Sequence, residues 1–275
     1  MQSLAEIADD LAAGRTTSRA LPEAALECAK ASDQARAHGI VPSPLAGIPV
    51  SIKDLCDVAG EVTLAGSSVR QDAEAATKDA PAVARLRAAG AVITGRTNMV
   101  EFAMGAPGTN AHYGTPKNAW DRATGRIPGG SSSGAAVSDG MAAAALGTDT
   151  AGSVRIPAAL CGLAGFKPTA RRVPTEGIYP LSRTLDSVGP LAPTVACCAL
   201  VDAVFAGAAP PELTPRPLQG LRLAVPKYLV FDDVDDTVGA AFQAALSKLS
   251  AAGARITKID FAELARMPAI NRIGG

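Results

Sequence analysis

The 275-residue chain has only two histidines, His38 and His112, one tryptophan and 4% aromatic residues. Any histidine-based triad or zinc site would have to use one of those two rings. His112 lies in the turn-like Asn110-Ala-His-Tyr-Gly, and both histidines read better as surface or turn residues. Charge of one sign is also missing, because 26 Lys+Arg balance 26 Asp+Glu. A neutral chain lacks the broad positive field that holds nucleic acid or an anionic membrane, so neither is expected as a partner. No apolar run reaches the roughly 18 residues that a membrane span needs. The N-terminal MQSLAEIADDL carries acids where a secretory signal has a basic start and an apolar run. Five cysteines (Cys28, Cys56, Cys161, Cys197, Cys198) are odd in number and contain no C-x-x-C, which argues against a disulfide framework and for a reducing compartment. A cytoplasmic globular protein without cofactor or metal is expected.

What is present is apolar residues, glycine and proline. Hydrophobic residues make up 48%, with 27 Gly and 20 Pro. A chain of this length buries roughly three-quarters of its unfolded surface, so a sizeable core is available. Leu4, Ile7, Ala8 and Leu11 have helical spacing, and a second helix is expected from about Leu21 to His38. Pro49-Val-Ser-Ile-Lys53-Asp reads as a buried strand ending on a charged pair. Asp79 is expected to cap a helix with Pro81 in its first turn and Gly90 at its end. A strand follows at Ala91–Thr94, then a helical turn at Asn98–Ala103 and a loop from Gly105 to Gly134. A small-residue helix is expected over Ala135–Ala145, a helix over Thr194–Ala206, and a strand over Leu221–Val225. A helix over 236–252, a strand over Ala254–Ile259 and a turn near Phe261–Arg266 complete the reading. This alternation predicts an α/β fold with a mixed, largely parallel central sheet covered by helices. The final Asn271-Arg-Ile-Gly-Gly275 neither caps nor closes an element, so the domain, 1–275, is expected to be incomplete at its C-terminus.

Two serine-bearing glycine loops stand out. Gly129-Gly-Ser131-Ser132-Ser133-Gly134 precedes a helix, and Thr150-Ala-Gly-Ser153 follows the strand-like Leu146-Gly-Thr-Asp. Glycines let backbone approach a ligand closely, and successive N–H groups in such turns can converge on a phosphate or a developing oxyanion. A lone Gly/Ser run is more often a plain turn; two, 22 residues apart with a helix between, are harder to dismiss. A serine nucleophile needs a base. Lys53 follows the apolar Ile48, Val50 and Ile52, where desolvation would lower its pKa. The bland alternative is a solvated lysine, or one paired with Asp54. Gly90-Ala-Val-Ile-Thr-Gly95-Arg96-Thr97 mimics a phosphate loop, but its middle reads as strand. Cys197-Cys198 reads as helix packing.

The strings PLAGIPVSIKD, GRIPGGSSSGAA and ALGTDTAGSVRIPAALCGLAGFKPT, in this order, resemble the amidase signature family from about residue 44 to about 195. The resemblance implies a mixed-sheet α/β fold, a Ser–cis-Ser–Lys triad and hydrolysis of a carboxylic amide through a serine acyl-enzyme. By motif, Ser153 would be the nucleophile, Ser131 a bridging serine with a cis peptide, and Lys53 the general base. Backbone N–H groups of Thr150, Ala151, Gly152 and Ser153 would form the oxyanion hole. Asp149 and Arg155 would brace this loop, and Ser132 would hydrogen-bond within the site. The chain departs from the family pattern in a Ser131–Ser153 gap two residues shorter, near Ser138-Asp139, in Ala151 where glycine is commoner, and in overall length. Two residues rotate a helix by about 200°, so the helix between the serines must start late, end early or lose a turn. The implied partner is a small-molecule amide, and a homodimer is compatible with the sequence. Other readings are the glutamine-hydrolysing A subunit of a tRNA-dependent amidotransferase and a non-catalytic truncated fragment. Tyr179-Pro-Leu-Ser-Arg-Thr-Leu-Asp-Ser-Val-Gly-Pro190 resembles stand-alone amidases more than that subunit.

Overall fold

Ser43–Lys227 and most of the chain from Phe231 to Met267 are described by a computed structural model, specifically residues 43–227, 231–264 and 266–267. The helices expected over 3–13 and 21–38 lie outside the described residues. The chain divides into two compact units, 1–212 and 213–275.

The first unit is built on a five-stranded sheet. Its strands are β1 (Pro49–Lys53), β2 (Val92–Thr97), β3 (Ala144–Asp149), β4 (Ala164–Gly165) and β5 (Ser187–Ala192), in the spatial order β2-β1-β3-β5-β4. β1 runs parallel to both β2 and β3, whereas β5 is antiparallel to β3 and β4. The sheet is therefore mixed, with its parallel half at β2-β1-β3.

Strand alternation sends successive side chains to opposite faces and creates two cores. Ala144 and Leu146 of β3 join the larger core, with Val50 and Ile52 of β1. Helices α1 (Pro81–Ala88) and α4 (Val195–Ala206) close it through Val83, Leu86, Val201 and Phe205. The intervening Ala145 and Leu191 belong to a second core, covered by Val137 of α2 (Ser133–Ser138) and Ala158 of α3 (Arg155–Cys161). α4 starts where Thr194 Oγ1 accepts from Cys197 N at 3.1 Å, and it ends on Gly207 in the left-handed region (φ +68).

Two local expectations change. The helix expected over Ala135–Ala145 ends at Ser138, because Ala144 and Ala145 are claimed by β3 and buried on both faces of the sheet. Small apolar residues fit either state, and the tertiary pairing decides. Asp79 does not cap α1: Ala80 holds that position, while Asp79 Oδ1 accepts from Ala59 N at 2.8 Å and Oδ2 pairs with Arg87 at 2.9 Å. Pro81 starts the helix without a side-chain cap, since its missing N–H needs no acceptor.

The second unit carries β6 (Arg222–Pro226), α5 (Asp236–Ala251) and β7 (Arg255–Ile259). β6 and β7 pair in parallel, and Asp235 Oδ1 caps α5 by accepting from Thr237 N at 2.8 Å. Across the described strands, three pairings are parallel and two antiparallel. Among the described residues no helix is long and apolar enough to cross a membrane.

Candidate active site at the carboxyl ends of the parallel strands

Because β1, β2 and β3 run parallel, their carboxyl ends open on one edge of the sheet, the usual place for a site in such folds. Each strand ends there on polar residues: Lys53 on β1, Thr97 on β2, and Thr148 with Asp149 on β3. Lys53 is fully buried, and its Nζ donates to Thr148 Oγ1 at 3.0 Å and to the Thr148 carbonyl at 3.4 Å. Burial pulls its pKa from 10.5 down to about 8, against the opposing pull of Cys56, Asp149 and Asp186. A lysine of that kind is a usable base near neutral pH.

Asp54, the neighbour that could have neutralised Lys53, points elsewhere. Its Oδ1 accepts from Arg96 Nε at 2.8 Å and its Oδ2 from Gly66 N at 3.0 Å. Arg96 also reaches Glu61 at 3.3 Å and the Cys56 carbonyl at 2.9 Å, so the charges of this buried group are used internally.

The two glycine loops are pressed together. A Cβ on Gly130 would sit 3.0 Å from Ser153 Oγ, and a Cβ on Gly129 or Gly134 would come within 2.9 Å of Pro157 in α3. Ser131 and Ser133 are fully buried. Ser131 Oγ donates to Ser133 Oγ at 2.7 Å and accepts from Ser133 N at 3.1 Å, and Ser133 Oγ lies 2.8 Å from Thr97 Oγ1. A buried hydroxyl chain thus runs from the end of β2 to Ser131. The cis peptide expected at Ser131 is absent: all peptide bonds among the described residues are trans. The backbone here bridges to Met99, and Ser132 N donates to the Asn98 carbonyl at 3.0 Å. Ser132 Oγ, expected to hydrogen-bond within the site, is buried with no partner among the described residues.

Ser153 is half-buried, and its Oγ makes no hydrogen bond among the described residues. It closes the turn Thr150-Ala151-Gly152-Ser153, in which the N–H groups of Ala151, Gly152 and Ser153 donate to no described residue. Gly152 has φ +140, and a Cβ there would lie 2.5 Å from Ile156 Cδ1, so only glycine fits. Asp149 anchors the turn from below. Its Oδ2 accepts from Val154 N at 3.2 Å, Arg155 N at 3.3 Å and Arg155 Nε at 3.0 Å, and its Oδ1 accepts from Arg155 Nη2 at 2.9 Å. Burial alone would raise this carboxyl's pKa, but the Arg155 and backbone bonds outweigh it and hold it below the usual range. The Thr150 hydroxyl is held by Asp186, which also accepts from Leu181 N at 3.0 Å and Ser182 N at 3.1 Å.

Lys53, Ser131 and Ser153 therefore lie in elements that converge on one edge, yet no hydrogen bond joins them. Lys53 is bonded to Thr148 and Ser131 to Ser133. Ser133 and Thr148 lie inside the quoted strings but carry no role of their own there, and Thr97 lies outside those strings. What sets all three apart is a position at a strand or loop end beside the chosen residues. His112 is outside this edge, bonded to Glu101 at 3.0 Å and to Ser68 at 3.2 Å. Among the described residues no cluster of His, Cys, Asp or Glu is arranged to hold a metal ion.

The arrangement has clear relatives. The chain is 44% identical over 236 residues to 2-amino-5-chloromuconic acid deaminase of Comamonas testosteroni, covering 84% of this chain and 51% of that protein. It is 42% identical over 254 residues to the A subunit of glutamyl-tRNA(Gln) amidotransferase from Chloroflexus aggregans, covering 87% and 51%. Native peptide amidase from Stenotrophomonas maltophilia superposes with a TM-score of 0.72 at 32% identity, over 86% of this chain and 52% of that one. The chain thus spans about half the length of the curated relatives it matches. The sequence profile of the amidase family matches residues 6–273, and the chain belongs to that family.

Proposed function

We propose that this chain is the catalytic part of an amidase that hydrolyses a carboxylic amide through an acyl-enzyme on Ser153. The observation that carries this reading is the pairing of an unbonded serine with a buried lysine. Ser153 Oγ sits against Gly130 with no partner among the described residues, and Lys53 lies at the same sheet edge with a pKa of about 8. Neutral Lys53 takes the proton of Ser131, which takes that of Ser153 as its oxygen attacks the amide carbonyl. The relay closes when Ser131 turns from Ser133 and Lys53 Nζ turns from Thr148. Its reversal protonates the leaving nitrogen, and water then releases the acid.

The N–H groups of the Thr150–Ser153 turn would hold the oxyanion, each essential donor being worth about 3–4 kcal/mol. Asp149 and Arg155 support that turn, and Ser132 lines the loop beside it. The two units of residues 1–275 are read as parts of one amidase domain, over about half of the relatives' length, with the whole candidate site in the first unit. The chain would work in the cytoplasm, a reading supported by the cysteines among the described residues, Cys56, Cys161, Cys197 and Cys198, all of which are unpaired.

A serine-directed fluorophosphonate tests the proposal. Stoichiometric labelling of the folded chain, lost in Ser153→Ala, is expected; no labelling of folded protein would mean a non-catalytic fragment. The 42% identity to the A subunit of an amidotransferase favours one second reading, a glutaminase that works only with partner subunits. Glutamine hydrolysis strictly dependent on added partners would select it.

A further inference from the structure

The first unit has ten described arginines between Arg70 and Arg183. Eight are held. Arg70 and Arg85 donate to the carbonyls of Thr63 and Phe205, and Arg87, Arg96, Arg122, Arg126, Arg155 and Arg172 each reach a carboxylate. Arg171 and Arg183 have neither ion pair nor hydrogen bond among the described residues. Both line the same cavity of about 270 Å³, together with Val173, Pro174, Glu176 and Asp186.

This cavity adjoins the candidate active site. Asp186 forms part of its wall and binds the Thr150 hydroxyl, three positions before Ser153. The Asp186 carboxylate already accepts from Thr150, Leu181 N and Ser182 N, so it is not a free partner for the arginines. Glu176 is the other acid on the lining. Two guanidinium groups, unpaired among the described residues, thus face one uncommitted carboxylate. Arg171 adds a second observation, since its φ of +71 places a non-glycine residue in the left-handed region. Such backbone costs energy and tends to persist where a side chain has to be aimed.

A guanidinium presents parallel donors that match a carboxylate in two-point contact. We propose that this cavity takes a carboxylate carried on the acyl part of the substrate, so that the amide cleaved is a monoamide of a dicarboxylic acid. This rests on the amidase reading of Ser153, with the carboxylate held at Arg171 and Arg183 while the amide lies at the Thr150–Ser153 turn.

Two measurements on the full chain decide it. The first compares kcat/KM for succinamate and glutaramate with that for butyramide and valeramide, their neutral counterparts. The anionic amides should be preferred by about tenfold or more, the factor expected for a charge-assisted contact. The ratio should fall about tenfold to a hundredfold in Arg171→Ala and Arg183→Ala, and rise in Glu176→Gln. Equal turnover of anionic and neutral amides, or an unchanged ratio in both arginine variants, would overturn the proposal. The second measurement is calorimetric binding of glutarate, which needs no turnover. Binding lost in the Arg171→Ala/Arg183→Ala double variant supports the cavity even if Ser153 takes no label, in which case only the acyl-enzyme reading falls. No glutarate binding, or inorganic phosphate binding as tightly, overturns the assignment.

Discussion

Lys53 Nζ donates to Thr148 Oγ1 at 3.0 Å across the sheet, and no carboxylate among the described residues makes an ion pair with it. Burial then governs its proton affinity and lowers the pKa to about 8. If Lys53 is the base, the rate of Ser153 labelling should rise tenfold per pH unit below about 8 and level off above it. Lys53→Arg should abolish labelling at every pH, because a guanidinium stays protonated. Thr148→Val removes an acceptor that favours the charged amine, so the rising limb should move to lower pH. A limb that stays in place in Thr148→Val would show that another group controls the rate.

The same shift predicts a stability effect of definite sign. Between pH 8 and 10.5 the unfolded chain binds a proton at Lys53 that the folded chain does not. Stability therefore rises with pH through this window, by an amount on the order of 3 kcal/mol. Lys53→Met should remove that rise and unfold at higher denaturant at pH 7. Urea midpoints at pH 7 and pH 10 measure both effects, and equal pH dependence in the two proteins would contradict the burial argument.

Much of this site can be read along the chain, and what cannot involves contacts across the sheet. Lys53 is legible because apolar Val50 and Ile52 precede it on a strand. Its partner is not: Thr148 lies 95 residues away and meets it only because β1 and β3 pair. Asp54 looks like the natural partner by adjacency. Successive side chains at a strand end point to opposite faces, which sends Asp54 to Arg96 instead. The helix between the serine loops is legible near its start but not at its end. Nothing in a run of alanines says where helix gives way to a strand buried on both faces. Ser131 and Ser133 are legible in their glycine loop, but the hydroxyl chain that joins them to Thr97 depends on the fold that brings this loop to the end of β2, so the bonds themselves have no local signal.

Gly152 offers a backbone test. Gly152→Ala would force φ +140 on an L side chain and place a Cβ 2.5 Å from Ile156 Cδ1. The strain costs about 1–3 kcal/mol. The contact is with a side-chain tip, so Ile156→Ala in the same chain should recover part of the stability by giving the methyl room. Labelling of Ser153 should not recover, because the turn's N–H groups would remain displaced. Full recovery of labelling in the double variant would mean that the turn's backbone geometry is unimportant.

Asp149 and Arg155 give a separable pair of outcomes. Asp149 is fully buried, whereas the Arg155 side chain is 53% exposed, so solvent screens their attraction. Arg155→Gln should therefore cost only about 1 kcal/mol at pH 7. It should also move acid unfolding to higher pH. Burial raises the Asp149 carboxyl, and the bonds from Arg155 and the backbone overcome that and hold it below its usual 3.8. Its contribution is present above that pH and lost as pH falls further, so removing Arg155 brings the loss earlier. Asp149→Asn should cost more, about 1–3 kcal/mol, because the amide cannot accept all four bonds that the carboxylate receives. Since two of those bonds fix the chain directly after Ser153, Asp149→Asn should also slow labelling, while Arg155→Gln leaves Val154 N bonded and slows it less. Thermal midpoints at pH 4 and pH 7, set beside labelling rates, separate the two roles. Equal slowing in both variants would place the anchoring of the turn in the arginine rather than in the carboxylate.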